Sequence, residues 1–406
     1  MDTKAIIRDN VFPHISELLK RFGQVEWSLR PRTFCILRML GCVDAMNAFI
    51  AEKRTDFFLP YNEKNLPHAI KGADMRAKFL RFQKLVLSPH HLNELEQEDS
   101  AHLHFHNSAD DYFSYIKDLG LGKFGVVDHV HGTISLRQYA RKRIHRGASA
   151  LKDCEMLDQF EHELIALKAL THRHLVKLVS SYTDPFFVGL IMTPVADEDL
   201  HVFLKRTLNG ETERSLRKQR LRIFFGCLSS ALDYLHANKI RHKDIKSRNV
   251  LVKGSKVLLT DFGTAMVCND NGQSTSVGPV TVWTPKYSAP EVATLQHRGK
   301  SSDIWSLGCV FLEMATVLND RSLDEMTKFY LENGSHYQGF WGNEEATKNW
   351  INELKGDIPK SDAIPLEWIS WMLKPAPDER PTSPQLLGCI LDIESEFPFL
   401  CSLCRA

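Results

Sequence analysis

Apolar residues recur at helical intervals through the first quarter of the chain. In VFPHISELLKRF, the residues Val11, Phe12, Ile15, Leu18, Leu19 and Phe22 fall on one face of period 3.6. TFCILRMLGCVDAMNAFIAE and MRAKFLRFQKLVL repeat the pattern, punctuated by Pro60, Pro67 and Pro89. This predicts a mostly helical zone up to about His106. A polar stretch, NELEQEDSAHLHFHNSADD, follows and reads as an exposed linker or a short strand. From about Asp111 the rhythm shortens to β-rich runs, YFSYIKDLGLGKFGVVDHV, SLRQYARKRI, LVKLVSSYTD and FVGLIMTPV, interrupted by one helix, MLDQFEHELIALKAL. After about Leu200 helices dominate, the long ones being RLRIFFGCLSSALDYLHAN, SSDIWSLGCVFLEMATVL and PLEWISWMLK. A β-rich lobe followed by a helical lobe is an α+β layout. The expected divisions are 1–108 for a helical extension with its linker, 109–195 for the β-rich lobe and 196–400 for the helical lobe.

Composition narrows the picture modestly. A chain of 406 residues with 43% apolar and 25% charged residues can bury a large core without disulfides. A net charge of +1 gives no reason to expect nucleic acid or an anionic membrane as partner. No uninterrupted apolar run approaches the roughly 20 residues of a membrane span, and MDTKAIIRDN lacks the apolar core of a secretion signal. Nine cysteines scattered through apolar segments read as reduced core thiols, and the expected location is intracellular, cytoplasmic or nuclear. Cys401 and Cys404 have CxxC spacing without a second pair, which favours two thiols on a frayed tail over a metal or redox site. His102, His104 and His106 alternate as a strand face would, but no carboxylate or cysteine spacing completes a metal site. The basic run RSLRKQRLR reads as the solvated start of a helix rather than a nuclear signal.

Three motifs carry chemistry. GLGKFGVV contains GxGxxG at Gly120, Gly122 and Gly125, where glycine lets backbone lie close against phosphates. Dinucleotide folds share that pattern, yet there the glycines open a helix, whereas here they sit between strand-like runs. In YARKRI, Ala140 and Lys142 fall on one strand face, so Lys142 can reach phosphates while Ala140 leaves room for a flat ring; Arg141 and Arg143 read as exposed members of a basic strand. Glu163 lies on the FEHELIALKAL helix and is a candidate ion-pair partner for Lys142. In RHKDIKSRNVLV, Asp244 can accept a hydroxyl proton, Lys246 can neutralise a transferring phosphoryl group, and Asn249 offers an amide oxygen to a hard cation. VLLTDFG then ends an apolar strand on Asp261, an acidic residue suited to Mg²⁺.

With these motifs in order, the chain resembles the eukaryotic protein kinase superfamily over roughly residues 111–400. The resemblance implies a bilobal kinase fold, β-rich N-lobe and helical C-lobe, behind an N-terminal helical extension. It implies ATP and Mg²⁺ (or Mn²⁺) as cofactors and a protein as substrate. Backbone around Gly120, Leu121, Gly122 and Gly125 would cover the phosphates, and Lys142, held by Glu163, would grip them. Asn249 and Asp261 would hold the metal, Asp244 would orient the attacking hydroxyl and Lys246 would stabilise the phosphoryl charge. The hinge would be MTPV: Met192 would guard the back pocket, backbone near Thr193 and Val195 would bind adenine, and Asp199 would meet the ribose. Val127, Ala140, Leu200 and Leu251 would sandwich the base; Leu167, Leu178, Phe262 and His242 would stack as an internal spine. Glu291 would pair with Arg380, and Asp303 would brace the catalytic loop.

The Lys142, Asp244 and Asp261 positions are intact, which favours an active enzyme over a nucleotide-binding pseudokinase scaffold. Lys246 and Thr284 resemble the Ser/Thr pattern rather than the Tyr one, and Arg248 beside Asn249 argues against selection of Arg just before the target. Two departures bear on regulation. Lys243 stands where the family usually has Arg, and Trp283 where it has Gly; Ser274, Thr275, Ser276 and Thr281 are candidate phosphorylation sites. The phrasing of RPRTFCILRMLG, YTDPFFVGLIMTPVADEDL and SSDIWSLGCVFLEM is similar to a group of filamentous-fungal protein kinases, which would extend the likeness over the extension, a candidate docking site for a regulatory partner.

Overall fold

The structure is a computed structural model that describes residues 6–88, 94–98, 101–122, 125–147, 150–267, 284–295, 299–335, 339–356 and 358–405. Pro89, Trp283 and the four candidate phosphorylation positions lie outside the described residues. The chain forms two compact units: Met1–Lys168 with Lys177–Val195, and Ala169–Val176 with Ala196–Ala406.

The first unit is built on a six-stranded sheet. Its strands are β1 (Leu103–His104), β2 (Phe113–Gly122), β3 (Gly125–Gly132), β4 (Gln138–His145), β5 (Lys177–Thr183) and β6 (Phe187–Thr193), in spatial order β1-β5-β6-β4-β3-β2. All pairings are antiparallel except β1 on β5. The HLHFH segment is therefore a short edge strand. His102 hydrogen-bonds Ser181 Oγ at 2.9 Å through Nδ1 and Thr183 Oγ1 at 2.6 Å through Nε2. Both ring nitrogens are spent, and burial lowers the pKa of His102 and His104 well below the usual histidine value, so these rings stay neutral packing groups.

The N-terminal helices pack in this same unit. The segment from Thr33 to Glu52 is not one helix: Pro31–Leu40 ends at Gly41, whose φ of +70° forms a left-handed cap, and Met46–Ala51 starts afresh. The expected apolar face of Val11–Arg21 also needs correcting. Phe12 and Leu19 are buried, whereas Val11, Leu18 and Phe22 (80% exposed) lie on the outside. Six apolar positions in twelve residues make a band wider than the neighbouring helices cover.

Arg141 and Arg143 are a second correction. Strand register sets Asp128 opposite Arg141, and Asp128 is fully buried. Arg141 donates to both Asp128 oxygens at 3.1 and 2.8 Å and to Asp110 at 2.6 Å; Arg143 reaches Asp128 at 2.7 Å and Asp110 at 3.1 Å. The basic strand is an interior charge network, because a carboxylate buried in a sheet requires such partners.

The second unit is helical around the long helices Glu211–Ala237 and Lys300–Leu318. Lys300–Leu318 is long and apolar enough to match a membrane span, but 89% of that window is buried inside the protein as core. The RSLRKQRLR run lies in the first part of Glu211–Ala237, exposed to half-buried except for buried Leu221, with Arg222 paired to Asp362 at 2.7 Å. Small strands, β7 (Glu198–Asp199), β8 (Ile240–Arg241), β9 (Val250–Lys253), β10 (Lys256–Leu259) and β11 (Met266–Val267), frame the loops that carry the chemistry. The C-terminus is not frayed. Phe399 and Leu400 are fully buried, their N–H groups donate to Glu394 Oε2 at 2.7 and 3.0 Å, and Gly226 N–H donates to the Phe399 carbonyl at 3.2 Å.

Candidate active site

In the first unit the candidate residues share one sheet face. Gly120 pairs with Val127, Val127 with Lys142, and Ala140 with Met192. Opposite residues in a ladder point the same way, as do residues two apart, so Val127, Ala140, Lys142 and Met192 project together. Gly122 faces Gly125 where the β2–β3 hairpin turns. Gly125 has φ +146°, and a Cβ there would collide with the Arg143 carbonyl, so only glycine fits. Leu121 is exposed beside it. Lys142 Nζ donates to Glu163 at 2.7 and 3.0 Å, and both side chains are buried. Glu163 comes from the helix Ala150–Ala169, whose Leu164 and Leu167 are buried and fix its rotation. The MTPV segment follows β6, with Val195 buried and Thr193 half-buried.

In the second unit the loop between β8 and β9 collects four polar side chains. Asp244 Oδ2 accepts from Lys246 Nζ at 2.6 Å, and Asp244 Oδ1 accepts from Thr284 Oγ1 at 2.8 Å. Asn249 Nδ2 donates to the Asp244 carbonyl at 2.8 Å and to Oδ2 at 3.1 Å. With its NH₂ committed, the Asn249 side chain keeps its oxygen as the group that can meet a cation. Thr260 N–H donates to the Asn249 carbonyl at 3.0 Å, which sets the residue before Asp261 against Asn249. Asp261 has φ +66° and is half-buried. An amide oxygen and a carboxylate are hard donors, suited to Mg²⁺ or Mn²⁺ and not to a thiophilic metal.

Asp303 organises the same loop from below. Its carboxylate accepts from the backbone N–H of His242 at 2.9 Å and of Lys243 at 2.9 Å, and lies 3.2 Å from His236 Nε2. Burial alone would raise the Asp303 pKa, but the hydrogen bonds and positive potential of His236, with the Lys243 N–H, hold it below the ordinary value. Lys243 takes φ +68° at this turn, and its side chain is exposed. His242 Nε2 meets the Thr260 carbonyl at 2.9 Å, and its ring lies 5.0 Å from buried Phe262. Asp199 caps the short helix Leu200–Lys205 by accepting from Val202 N–H at 2.9 Å. That leaves its other oxygen outward, 4.0 Å from Arg248. Leu200 is buried and Leu251 half-buried.

One part of the constellation escaped the sequence. Ser247 Oγ lies 2.9 Å from Tyr287 Oη, which donates to both oxygens of Glu313 at 2.9 and 3.1 Å; Lys286 pairs with Glu313 at 2.5 Å. Glu313 is wholly buried, and burial, then its charge, raises the Tyr287 pKa well above normal. The available signal was a lone Glu in the apolar run SLGCVFLEM. Further along, Arg380 grips Glu291 through two 2.8 Å bonds, as the resemblance implied.

The protein kinase domain family matches residues 113–389. The chain belongs to the protein kinase family. Among curated relatives, this chain is 33% identical over 172 residues to 3-phosphoinositide-dependent protein kinase 1 of Rattus norvegicus, covering 38% of this chain and 31% of that protein. It is 29% identical over 214 residues to the putative mitogen-activated protein kinase 14C of Drosophila melanogaster, covering 51% and 56%. It is 29% identical over 224 residues to serine/threonine-protein kinase 33 of Bos taurus, covering 52% and 43%. The chain thus corresponds to less than two thirds of each relative's length.

Proposed function

We propose that this kinase is an active, ATP-dependent serine/threonine kinase that phosphorylates protein substrates. The observation that carries the reading is the assembly of Lys246, Thr284 and Asn249 on the single carboxylate of Asp244. Asp244 is the group to orient a substrate hydroxyl and take its proton, since three donors fix the direction of its carboxylate. Lys246 is placed to meet negative charge developing beside that hydroxyl. Asn249 and Asp261 would hold Mg²⁺, which supplies positive charge against phosphate oxygens when bound. Lys142, oriented by Glu163, would contact nucleotide phosphates, with the β2–β3 turn over them. Thr284 and Lys246, together with the names of relatives such as serine/threonine-protein kinase 33, support Ser/Thr over Tyr specificity.

The test is phosphoryl transfer from labelled ATP with Mg²⁺ to generic protein substrates, followed by phosphoamino-acid analysis. Asp261→Asn and Asp244→Asn should each lower transfer by roughly 10²-fold or more. Equal transfer by wild type and both variants would overturn the enzyme reading, and nucleotide binding without transfer would leave the scaffold reading in its place.

A further inference from the structure

Three thiols and one imidazole, none of them assigned a role above, converge in the second unit. The ligand atoms of His174, Cys227, Cys401 and Cys404 all lie within 4.8 Å of one another. They come from three separate places: the segment Ala169–Val176, the middle of the helix Glu211–Ala237, and the C-terminal turn Ser402–Arg405 with the residue before it. Each place is anchored by ordinary packing. The His174 carbonyl accepts from Leu259 N–H of β10 at 2.8 Å. Cys227 sits in a helix interior and is buried. The tail is drawn onto that helix next to Cys227, because Gly226 has no Cβ to collide with the Phe399 carbonyl. Phe399 packs edge-on against Trp368 with ring centroids 4.9 Å apart.

The imidazole is oriented as a ligand would be. His174 Nδ1 lies 2.7 Å from the Val257 carbonyl, an acceptor only, so Nδ1 carries the proton and Nε2 presents its lone pair. That Nε2 lies 3.4 Å from Cys401 Sγ. A backbone carbonyl behind a ligating histidine is the usual device for fixing its tautomer. A tetrahedral zinc site, with bonds of about 2.3 Å to sulfur and 2.0 Å to nitrogen, places its ligand atoms roughly 3.5–3.8 Å apart. The four atoms need to contract by no more than about 1.3 Å to meet it. A disulfide would use two of the sulfurs and leave the third thiol and the aimed imidazole unexplained.

We propose that His174, Cys227, Cys401 and Cys404 form a closed Cys₃His zinc site that clasps the C-terminal segment to the long helix. Four protein donors leave no open position, so the zinc is structural. Cys401 and Cys404 supply the paired CxxC ligands, and the remaining two donors come from distant sequence positions, which hid the second half of the motif.

The test is zinc content of the full chain, purified under reducing conditions without chelator, by elemental mass spectrometry. Wild type and Cys389→Ser, whose thiol is exposed and outside the cluster, should each hold about one zinc per chain. Cys401→Ser/Cys404→Ser and His174→Ala should lose at least about nine tenths of it. Because such variants can fail to fold, wild type is also examined alone: chelator should release the zinc, make Cys227, Cys401 and Cys404 newly alkylatable, and lower the thermal midpoint. Cobalt added to the stripped protein should give the intense visible bands of a tetrahedral thiolate site. Wild type without zinc, with iron or copper in its place, with a disulfide among these cysteines, or with zinc retained in folded Cys401→Ser/Cys404→Ser would each overturn the assignment.

Discussion

Lys142 Nζ sits 2.7 Å from one Glu163 oxygen and 3.0 Å from the other, with both side chains buried. Removing one partner of a buried ion pair costs about 3–5 kcal/mol, whereas replacing both by well-packed apolar residues is often neutral. Lys142→Met should therefore lower stability by that order and reduce transfer at least roughly 10²-fold. Lys142→Met/Glu163→Leu should regain much of the stability and none of the activity. Denaturant melts and transfer assays on the two variants separate these outcomes. Recovery of activity in the double variant would show that Lys142 does not serve the chemistry.

Asp303 makes stability depend on acid. Its folded pKa lies below the ordinary carboxylate value, so the folded state favours its charged form. The resulting stability is fully present above the unfolded pKa of about 3.9 and is lost as pH falls through the lower folded value. Asp303→Asn replaces an acceptor with an amide that can offer only one oxygen to the His242 and Lys243 N–H groups. Near neutral pH it should cost about 1.5–3 kcal/mol for each charged hydrogen bond lost. The gap between wild type and variant, read from melts at several pH values, should narrow below about pH 3.9. A gap that does not change in that range would mean Asp303 acts through shape alone.

Arg380 and Glu291 form the most enclosed ion pair of the second unit described here, with side chains 0% and 3% exposed. Arg380 also donates to the Lys374, Pro375 and Ser301 carbonyls and lies over the Trp305 ring at 5.0 Å. Arg380→Lys keeps the charge but loses the planar fork, and so should destabilise by several kcal/mol rather than the few tenths of a surface swap. Chemical denaturation measures it; a loss under about 1 kcal/mol would show that the fork and its carbonyl contacts are dispensable.

These pairs were legible in the sequence because each is a charged residue at a fixed place in a motif. Lys142, Glu163, Asp244 and Asn249 announce themselves by type and spacing, Asp303 and Arg380 only through the resemblance to protein kinases, and the alternation of short and long periods announced the two kinds of lobe. What stayed hidden depends on register and on distant chain segments meeting. Asp128 looked like one more polar residue in GVVDHV until strand pairing set it opposite Arg141. Nothing local distinguishes Leu18 and Phe22, which are exposed, from Leu19, which is buried. The Tyr287–Glu313 bond joins a loop to a helix interior. Cys227 gains meaning only where the tail returns to it.

The N-terminal extension holds the helix that presents Glu163. Asn65 Nδ2 donates to Asp153 Oδ2 at 3.0 Å, Thr55 Oγ1 donates to Glu161 Oε2 at 3.2 Å, and the Phe57 ring lies 6.2 Å from Phe160. Arg146, paired with Asp153 at 2.9 Å, donates to the Phe58 and Pro60 carbonyls at 2.8 Å each. Asp153 and Phe160 are buried beneath these contacts, and β5 is covered by β1. A form beginning at residue 109 would expose all three, including a bare sheet edge, which favours aggregation. It should be poorly soluble, and amide hydrogens of Ala150–Ala169 should exchange much faster than in the full chain. The milder Asn65→Ala should stay folded, speed exchange at the start of that helix and lower transfer without altering the Asp244 loop. A shortened form that is soluble, active and equally protected in this helix would show the extension to be a separable appendage.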